Sequence, residues 1–293
     1  MTTPVSRPDD AGRVPSSAGT DRSRRPDDAG RVPSSANPAS ALTQGARRSI
    51  PLQEITLPHE CPRPVRMYVL GRAPYFQGMD EEALDRVDAR MHARTYAPDQ
   101  RIYHAGDPAD ALYVVAEGRV KLSQSTPEGT ETVTDILVPG ELFGAMGALG
   151  EPYFQQSASA LVGTCALRIG QGDFRTVLAE EPGVALRVLD DVSARLTRAQ
   201  SDIGQTSGSV PQRVATALLR LADKLGDDRG RDGVLLEVPL SRVDLAGLAR
   251  STPESVSRVM SRWKKEGVVD SGRRWTALLD VPRLRQEAEG MRE

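Results

Sequence analysis

The segment from Leu240 to Asp270, LSRVDLAGLARSTPESVSRVMSRWKKEGVVD, constrains this chain more than any other. It reads as two short helices joined by a tight turn. In the first, over about 242–249, Leu245, Leu248 and Ala249 recur at helical spacing. Arg250-Ser251-Thr252 makes the turn. Thr252 is a good N-cap and Pro253 suits the first helical position, with Ser255 where a capping box would carry Glu or Gln. The second helix runs to about Glu266 and buries Val256, Val259, Met260 and Trp263 along one face. Its opposite face carries Glu254, Ser257, Arg258 and Ser261, with Arg262, Lys264 and Lys265 beyond. Hydrogen-bonding side chains at the start of a helix and cations at its end are what reading a DNA major groove requires. A merely solvated amphipathic pair is the plain alternative, and the surrounding sequence decides between the two.

Charge distribution is the first such context. Residues 1–50 carry 8 Lys/Arg against 5 Asp/Glu, residues 51–210 carry 14 against 22, and residues 211–293 carry 16 against 13. The acidic middle would repel phosphate, whereas the mildly basic C-terminal part would attract it. A length of 293 residues leaves room for two domains beyond a tail, with 39% apolar residues to fill their cores. No apolar run approaches a membrane span, and the opening MTTPVSRPDD lacks the apolar core of an export signal. The expectation is a cytoplasmic protein with no membrane partner. Cys61 and Cys165 are the only cysteines, which fits a reduced protein better than a disulfide framework.

The tail is distinct. Residues 1–50 are rich in Pro, Ser, Ala, Asp and Arg, and such a composition cannot bury enough apolar surface to offset its ordering entropy. It is expected to be disordered. It holds the twelve-residue RPDDAGRVPSSA twice, at Arg7–Ala18 and Arg25–Ala36, too few and too polar for a solenoid. Folded sequence is expected from about Met67, also a plausible alternative translation start. Met79–His92 reads as a short amphipathic helix.

Short runs of alternating character follow, punctuated by turns at Gly106-Asp107-Pro108, Glu117-Gly118-Arg119 and Pro139-Gly140-Glu141. This is an all-β pattern, a barrel or a jelly roll. After Asp173 the period becomes helical. Ala185, Leu189, Val192, Leu196, Ala199 and Ile203 are spaced alternately four and three apart, the a/d seam of a coiled coil, and a narrow seam favours pairing with a second copy. Ser207-Gly208-Ser209 interrupts it as a hinge. Pro211 restarts a helix through Val214, Leu218 and Leu221.

In this order the elements resemble the bacterial CRP/FNR family of transcription regulators over roughly residues 74–284. The motifs that carry the resemblance are Ile102-x-x-x-Gly106-Asp107, Leu112-Tyr113-Val114-Val115-x-Glu117-Gly118, Pro139-Gly140-Glu141-x-Phe143-Gly144 and Glu254-x-x-x-Arg258. The resemblance implies an α+β protein: a β-roll of the cyclic-nucleotide-binding jelly-roll type, a long dimerisation helix and a C-terminal winged helix-turn-helix. The divisions would be a tail at 1–66, the β-roll at 67–180, the dimerisation helix at 181–207 and the DNA-binding domain at 208–293. It also implies a homodimer on double-stranded DNA with a two-fold symmetric site, acting through RNA polymerase. Glu254 and Arg258 match the family's base-reading glutamate and arginine, and Ser257 matches the serine of the FNR-like branch. Arg donates twice to guanine and a carboxylate accepts from cytosine, so the chemistry agrees. Four residues apart, the two also stand where they can orient each other. Pro253 replaces a further base-reading arginine of the CRP branch, which favours a TTGA-type half-site over TGTGA. Ser241, Arg242, Thr252 and Lys264, with Arg273 and Arg274 in a hairpin wing, are candidate phosphate contacts. Leu189, Val192, Leu196, Ala199 and Ile203 would form the dimer seam.

The ligand pocket departs from the pattern. Where cyclic-nucleotide-responsive members carry glutamate and arginine for ribose and phosphate, this chain has Ala145, after Gly144, and Gln156; of the ligand set only Ser157 remains. A Thr-Ser pair against the base is replaced by Ala199-Gln200, and no Arg or Lys lies between Lys121 and Arg168. A buried phosphate without a cation costs on the order of several kcal/mol, so the pocket is expected to be vestigial and the regulator independent of cyclic AMP. Two distant cysteines cannot hold an iron–sulfur cluster, and His59, His92 and His104 are isolated, so no cofactor or metal is expected. Cys165 reads as a core residue and Cys61 as exposed, ahead of the folded region. The competing readings are a regulator with a rewired small-molecule pocket and, more remotely, a cupin-like β-roll enzyme, which three scattered histidines disfavour.

Overall fold

A computed structural model describes residues 61–125, 131–144, 152–205, 208–228 and 233–290, with side-chain surroundings for all of these except 195–205 and 227–228. The expectations for the repeats, for Ala145 and for the side chains of Leu196, Ala199 and Ile203 lie outside the described residues.

Helices α1 (Arg63–Arg72) and α2 (Glu81–Asp88) precede eight strands. These are β1 (Met91–Tyr96), β2 (Arg101–Tyr103), β3 (Ala111–Glu117), β4 (Val120–Ser125), β5 (Glu131–Leu137), β6 (Leu142–Phe143), β7 (Ser157–Ala160) and β8 (Thr164–Gly170). They form two antiparallel sheets, ordered β1-β8-β3-β6 and β2-β7-β4-β5. Strand β3 is buried on both faces. Ala111, Tyr113 and Val115 point between the sheets, whereas Leu112, Val114 and Ala116 point at a helical layer. That double burial explains an apolar run without polar alternation. On β8, Ala166 turns inward while Cys165, Leu167 and Ile169 join the helix-side core.

The helical layer is α1, α2, α3 (Gln171–Glu180) and α4 (Pro182–Gln205). Two sequence expectations give way here. Helix α1 crosses the expected 66/67 boundary, sinks Val69 and Leu70 into the core, and ties back through Arg66, whose guanidinium donates to Asp88 at 2.7 and 2.8 Å. Folded chain therefore reaches back at least to Cys61. The helix expected over Met79–His92 ends at Asp88, because Met91 and His92 already pair with Ile169 and Arg168 of β8. A partner strand roughly 75 residues away is invisible to local periodicity.

Ser209 opens α5 (Val210–Leu225) with a capping box to Gln212. Strands β9 (Gly226–Asp228) and β10 (Val234–Leu236), helices α6 (Arg242–Leu248) and α7 (Pro253–Lys265), strands β11 (Val269–Ser271) and β12 (Thr276–Leu278) and helix α8 (Val281–Glu289) complete the chain. The small sheet runs β11-β12-β10-β9 and carries the wing. Its core is built from Leu218, Leu236, Leu245, Val256, Met260 and Trp263, and Val133, Ile136 and Leu161 of the β-roll pack into that same core. Helix α6 lies so close to β5 that a Cβ on Gly247 would stand 2.6 Å from the Val133 carbonyl oxygen. Lys224 bridges to Asp135 at 3.0 Å and Glu141 at 3.1 Å, and Lys121 reaches Asp244 at 3.5 Å. Among the described residues no helix is long and apolar enough to cross a membrane.

Candidate nucleic-acid interface

The two helices of the motif are held by local chemistry the sequence already carries. Ser241 caps α6 reciprocally: its Oγ accepts from Asp244 N at 3.0 Å, and Asp244 Oδ2 accepts from Ser241 N at 2.9 Å. Thr252 caps α7 by accepting from Ser255 N at 3.3 Å. Ser255 does not complete a capping box; it accepts from the Thr252 hydroxyl instead. Between the helices Arg250 sits at φ +47°, a left-handed conformation that a residue with a Cβ adopts at a cost of about 1 kcal/mol. The turn is closed by Ser251 N donating to Ala246 O at 2.8 Å and Arg250 N to Gly247 O at 3.0 Å.

A residue that sequence reasoning misses stitches this turn. Arg213 on α5 donates from Nε to Ala249 O at 2.9 Å, from Nη2 to Arg250 O at 3.4 Å and from Nη1 to Gly208 O. One guanidinium thus joins Gly208, just ahead of α5, to the strained turn and satisfies helix-end carbonyls that α6 leaves open. A separation of 36 residues gives no signal for it. In the sequence this arginine looks like any other on an amphipathic helix.

Helix α7 buries Val256, Val259, Met260 and Trp263, as the spacing predicts, and this anchors its other face outward. On that face Ser257, Arg258, Ser261, Arg262 and Lys265 line a shallow depression. Glu254 and Arg258 are exposed, and no ion pair joins them among the described residues, so their expected mutual orientation is not seen. Ser257, one helical turn along the same face, is half-buried. The three predicted base-reading residues therefore share one surface.

The predicted phosphate contacts divide. Arg273 and Arg274 stand exposed at the tip of the wing, whose turn is closed by Gly272 N donating to Trp275 O at 2.9 Å. Lys264 is exposed but paired with Asp270 at 2.6 Å. Arg242 is half-buried and donates to Ser271 Oγ at 3.1 Å, and burial draws its guanidinium below its usual value. Ser241 and Thr252 are committed to caps. Arg262, outside the predicted phosphate set, lies between Glu266 at 3.8 Å and Glu287 at 3.9 Å.

On α4 the inner face seats Val184 and Val188 in the helix-side core of the β-roll, with the half-buried Val192 packed against it. Leu189 is 61% exposed, and so is Leu186, at 65%, which the heptad reading omits. The apolar stripe is thus wider than a two-position seam, because the helix serves its own domain on one side while presenting leucines on the other.

The β-roll interior completes the geometry. Tyr103 and Phe154 stack with ring centroids 3.8 Å apart, and Tyr113 and Phe143 stack at 5.0 Å beside them. Burial raises the Tyr103 phenol above its ordinary value. Ser157, the one retained ligand-set residue, is buried and its Oγ accepts from Ala105 N at 2.9 Å. Gln156 is half-buried and donates to Thr134 Oγ1 at 3.1 Å. Gly144 has φ +73°, and a Cβ there would approach Ala111 O to 2.8 Å, so the close turn after β6 demands glycine.

Comparison with known proteins bears on both halves. Residues 93–181 match the family described as cyclic nucleotide-binding domain, and residues 212–287 match the Crp-like helix-turn-helix domain. The "Cyclic AMP receptor protein" of Thermus thermophilus is 31% identical over 220 residues, 75% of this chain and 98% of the relative. The "CRP-like cAMP-activated global transcriptional regulator" of Mycobacterium tuberculosis is 24% identical over 221 residues, again 75% of this chain and 98% of the relative. Among solved structures, a CRP-family transcriptional regulator from Thermus thermophilus superposes with a TM-score of 0.56 at 28% identity, covering 67% of this chain and 96% of that one. FixK2 from Bradyrhizobium japonicum gives 0.59 at 24% identity, with 67% and 96% covered, a likeness of fold.

Proposed function

Because the chain belongs to the CRP/FNR family of DNA-binding transcription regulators, which are not enzymes, we propose that it acts as a homodimer on an inverted-repeat site without needing cyclic AMP. The observation that carries the DNA reading is the face of α7: Ser257, Arg258, Ser261, Arg262 and Lys265 lie together over a fully buried Trp263. Arg258 is the guanine reader, Glu254 accepts from the paired cytosine, and Ser257 contributes at the neighbouring step of a TTGA-type half-site. Arg273 and Arg274 of the wing are the best-placed phosphate contacts, because both stand exposed at its tip. Leu186 and Leu189 support pairing through α4, since two large exposed leucines on one helix are otherwise unfavourable in water. The division into tail, β-roll, dimerisation helix and DNA-binding domain follows, and RNA polymerase is the partner such a regulator would address.

Nucleotide independence is supported by the inside of the β-roll. Tyr103, Tyr113, Phe143 and Phe154 occupy the space between the sheets, Ser157 is spent on a backbone amide, and Gln156 is turned to Thr134. No Lys or Arg in residues 122–167 offers a charge to a cyclic phosphate. A cyclic nucleotide does not fit this donor set. The names of the relatives speak for a nucleotide in those proteins, and the residues speak against one here. An electrophoretic shift assay on a TTGA inverted repeat tests both parts. Binding in buffer alone, unchanged by cyclic AMP, is expected; binding only with the nucleotide added would overturn the proposal.

A further inference from the structure

A cavity of about 370 Å³ opens between α5, the end of α6 and α8, and it shares no residue with the depression on α7. Its walls carry three guanidiniums: Arg213 and Arg220 from α5, and Arg250 from the turn between α6 and α7. Gln212 and Thr216 add an amide and a hydroxyl, while Ala217, Leu248 and Ala288 give it apolar surface. Among the described residues no Asp or Glu lines it. Glu287, one position before Ala288, faces Arg262 and Arg283 instead. Like charges around one space repel one another, and an anion between them relieves that cost. Arg213 is immobilised by the carbonyls of Ala249, Arg250 and Gly208, so it stands as a fixed charge. Thr216 spends its hydroxyl proton on Gln212 O at 2.9 Å, and Gln212 Oε1 accepts from Ser209 N at 2.7 Å. An occupant is therefore addressed by the exposed Arg220 and Arg250 and by the amide nitrogen of Gln212. Arg250 keeps its place at φ +47° although glycine would hold that conformation without steric cost.

We propose that this cavity binds a small phosphorylated organic molecule, with its phosphoryl oxygens held by Arg220 and Arg250 and its carbon body against Ala217, Leu248 and Ala288. Guanidinium forks match phosphate oxygens in pairs and carry donors only, so they select an anion of that geometry. A bare phosphate ion would leave most of the 370 Å³ empty, whereas this volume is ordinary for a small-molecule site. A backbone phosphate of DNA is the poorer occupant for the same reason, since it brings no body to fill the space. The site lies within the C-terminal domain, apart from the β-roll interior that four aromatic rings occupy. Its occupancy does not depend on the DNA reading and is measured without DNA.

The test titrates the full chain calorimetrically with phenyl phosphate and with inorganic phosphate at constant ionic strength. Phenyl phosphate should occupy one site per chain and bind about 5-fold or more tightly than inorganic phosphate. Arg220→Gln combined with Arg250→Gln should weaken its binding about 10-fold or more, with the unliganded Tm close to that of the parent. Arg86→Gln combined with Arg90→Gln removes the same charge at α2 and should leave binding unchanged. No saturable heat, equal affinity for the two compounds, or equal weakening by both double variants would overturn the proposal. So would weakened duplex DNA binding in the first double variant with its phenyl phosphate affinity intact, which would make these arginines backbone contacts.

Discussion

Replacing Gly247 by alanine asks whether α6 is truly seated against the β-roll, because the two answers differ in sign. On an exposed helix this change stabilises by about 1 kcal/mol, since glycine loses more backbone freedom on folding. On this helix the added Cβ would lie 2.6 Å from Val133 O, 2.7 Å from Val133 N and 3.2 Å from Thr132 Cγ2. Comfortable contact needs about 3.5 Å, so α6 and β5 must part by roughly 0.8 Å against backbone atoms that cannot rotate away. Overpacking of that kind costs about 1–3 kcal/mol. The separation also loosens Val133 and Ile136 in the shared core and lengthens the 3.5 Å contact between Lys121 and Asp244. Subtracting the helical gain leaves a net destabilisation of about 1 kcal/mol, or about 2–4 °C in Tm for a chain of this size. Thermal unfolding of the full chain measures it, and hydrogen exchange over residues 131–137 should quicken in the variant. A raised Tm with unchanged exchange would refute the packing of α6 on β5.

Three further outcomes are expected. Arg258→Ala should weaken binding to the specific site by about 1–3 kcal/mol per half-site in a fluorescence anisotropy titration while leaving non-specific affinity nearly intact; equal losses on both DNAs would reject base reading. Leu186→Glu combined with Leu189→Glu should weaken self-association on the order of 100-fold or more in sedimentation equilibrium, and an unshifted equilibrium would place the dimer contact elsewhere. Arg101, with Ser123, holds the Glu131 carboxyl down at about 2. A depressed carboxylate stabilises the fold above its unfolded value of about 4.3 and ceases to do so as pH falls through its folded value. Glu131→Gln should therefore lower the urea midpoint at pH 7, modestly because the pair is partly solvated, and match the parent near pH 2. A difference independent of pH would dismiss the Arg101 contact as the cause.

Much of this is legible in the chain. The caps at Ser241 and Thr252, the buried stripe of α7 and the hairpin between Ser271 and Trp275 are local, and each follows from side chains within a few positions of one another. Helix α1 escapes a periodicity reading because its apolar residues do not form a clean stripe; Val69 and Leu70 pack inward while Tyr68 stays exposed. Strand β1 merges with a helix in the sequence pattern because nothing near Met91 announces a partner at Ile169. Cys61 reads as exposed because the core that covers it draws on β3 and β8, from positions that only the fold brings near.

The sequence by itself determined that a helix-turn-helix sits behind a β domain and a long helix, and that its outward face carries Glu254, Ser257 and Arg258. Periodicity and capping chemistry are short-range, and those features need nothing longer. The tertiary structure decided what a side chain does when its partner is remote. It set Arg213 across the turn at Arg250, closed the β-roll interior with four stacked rings, pressed Gly247 onto Val133 and sank Cys61 and Cys165 into one core. In each case the physical reason is the same: contact energy depends on distance in space, and only burial in a common core makes residues dozens of positions apart into neighbours.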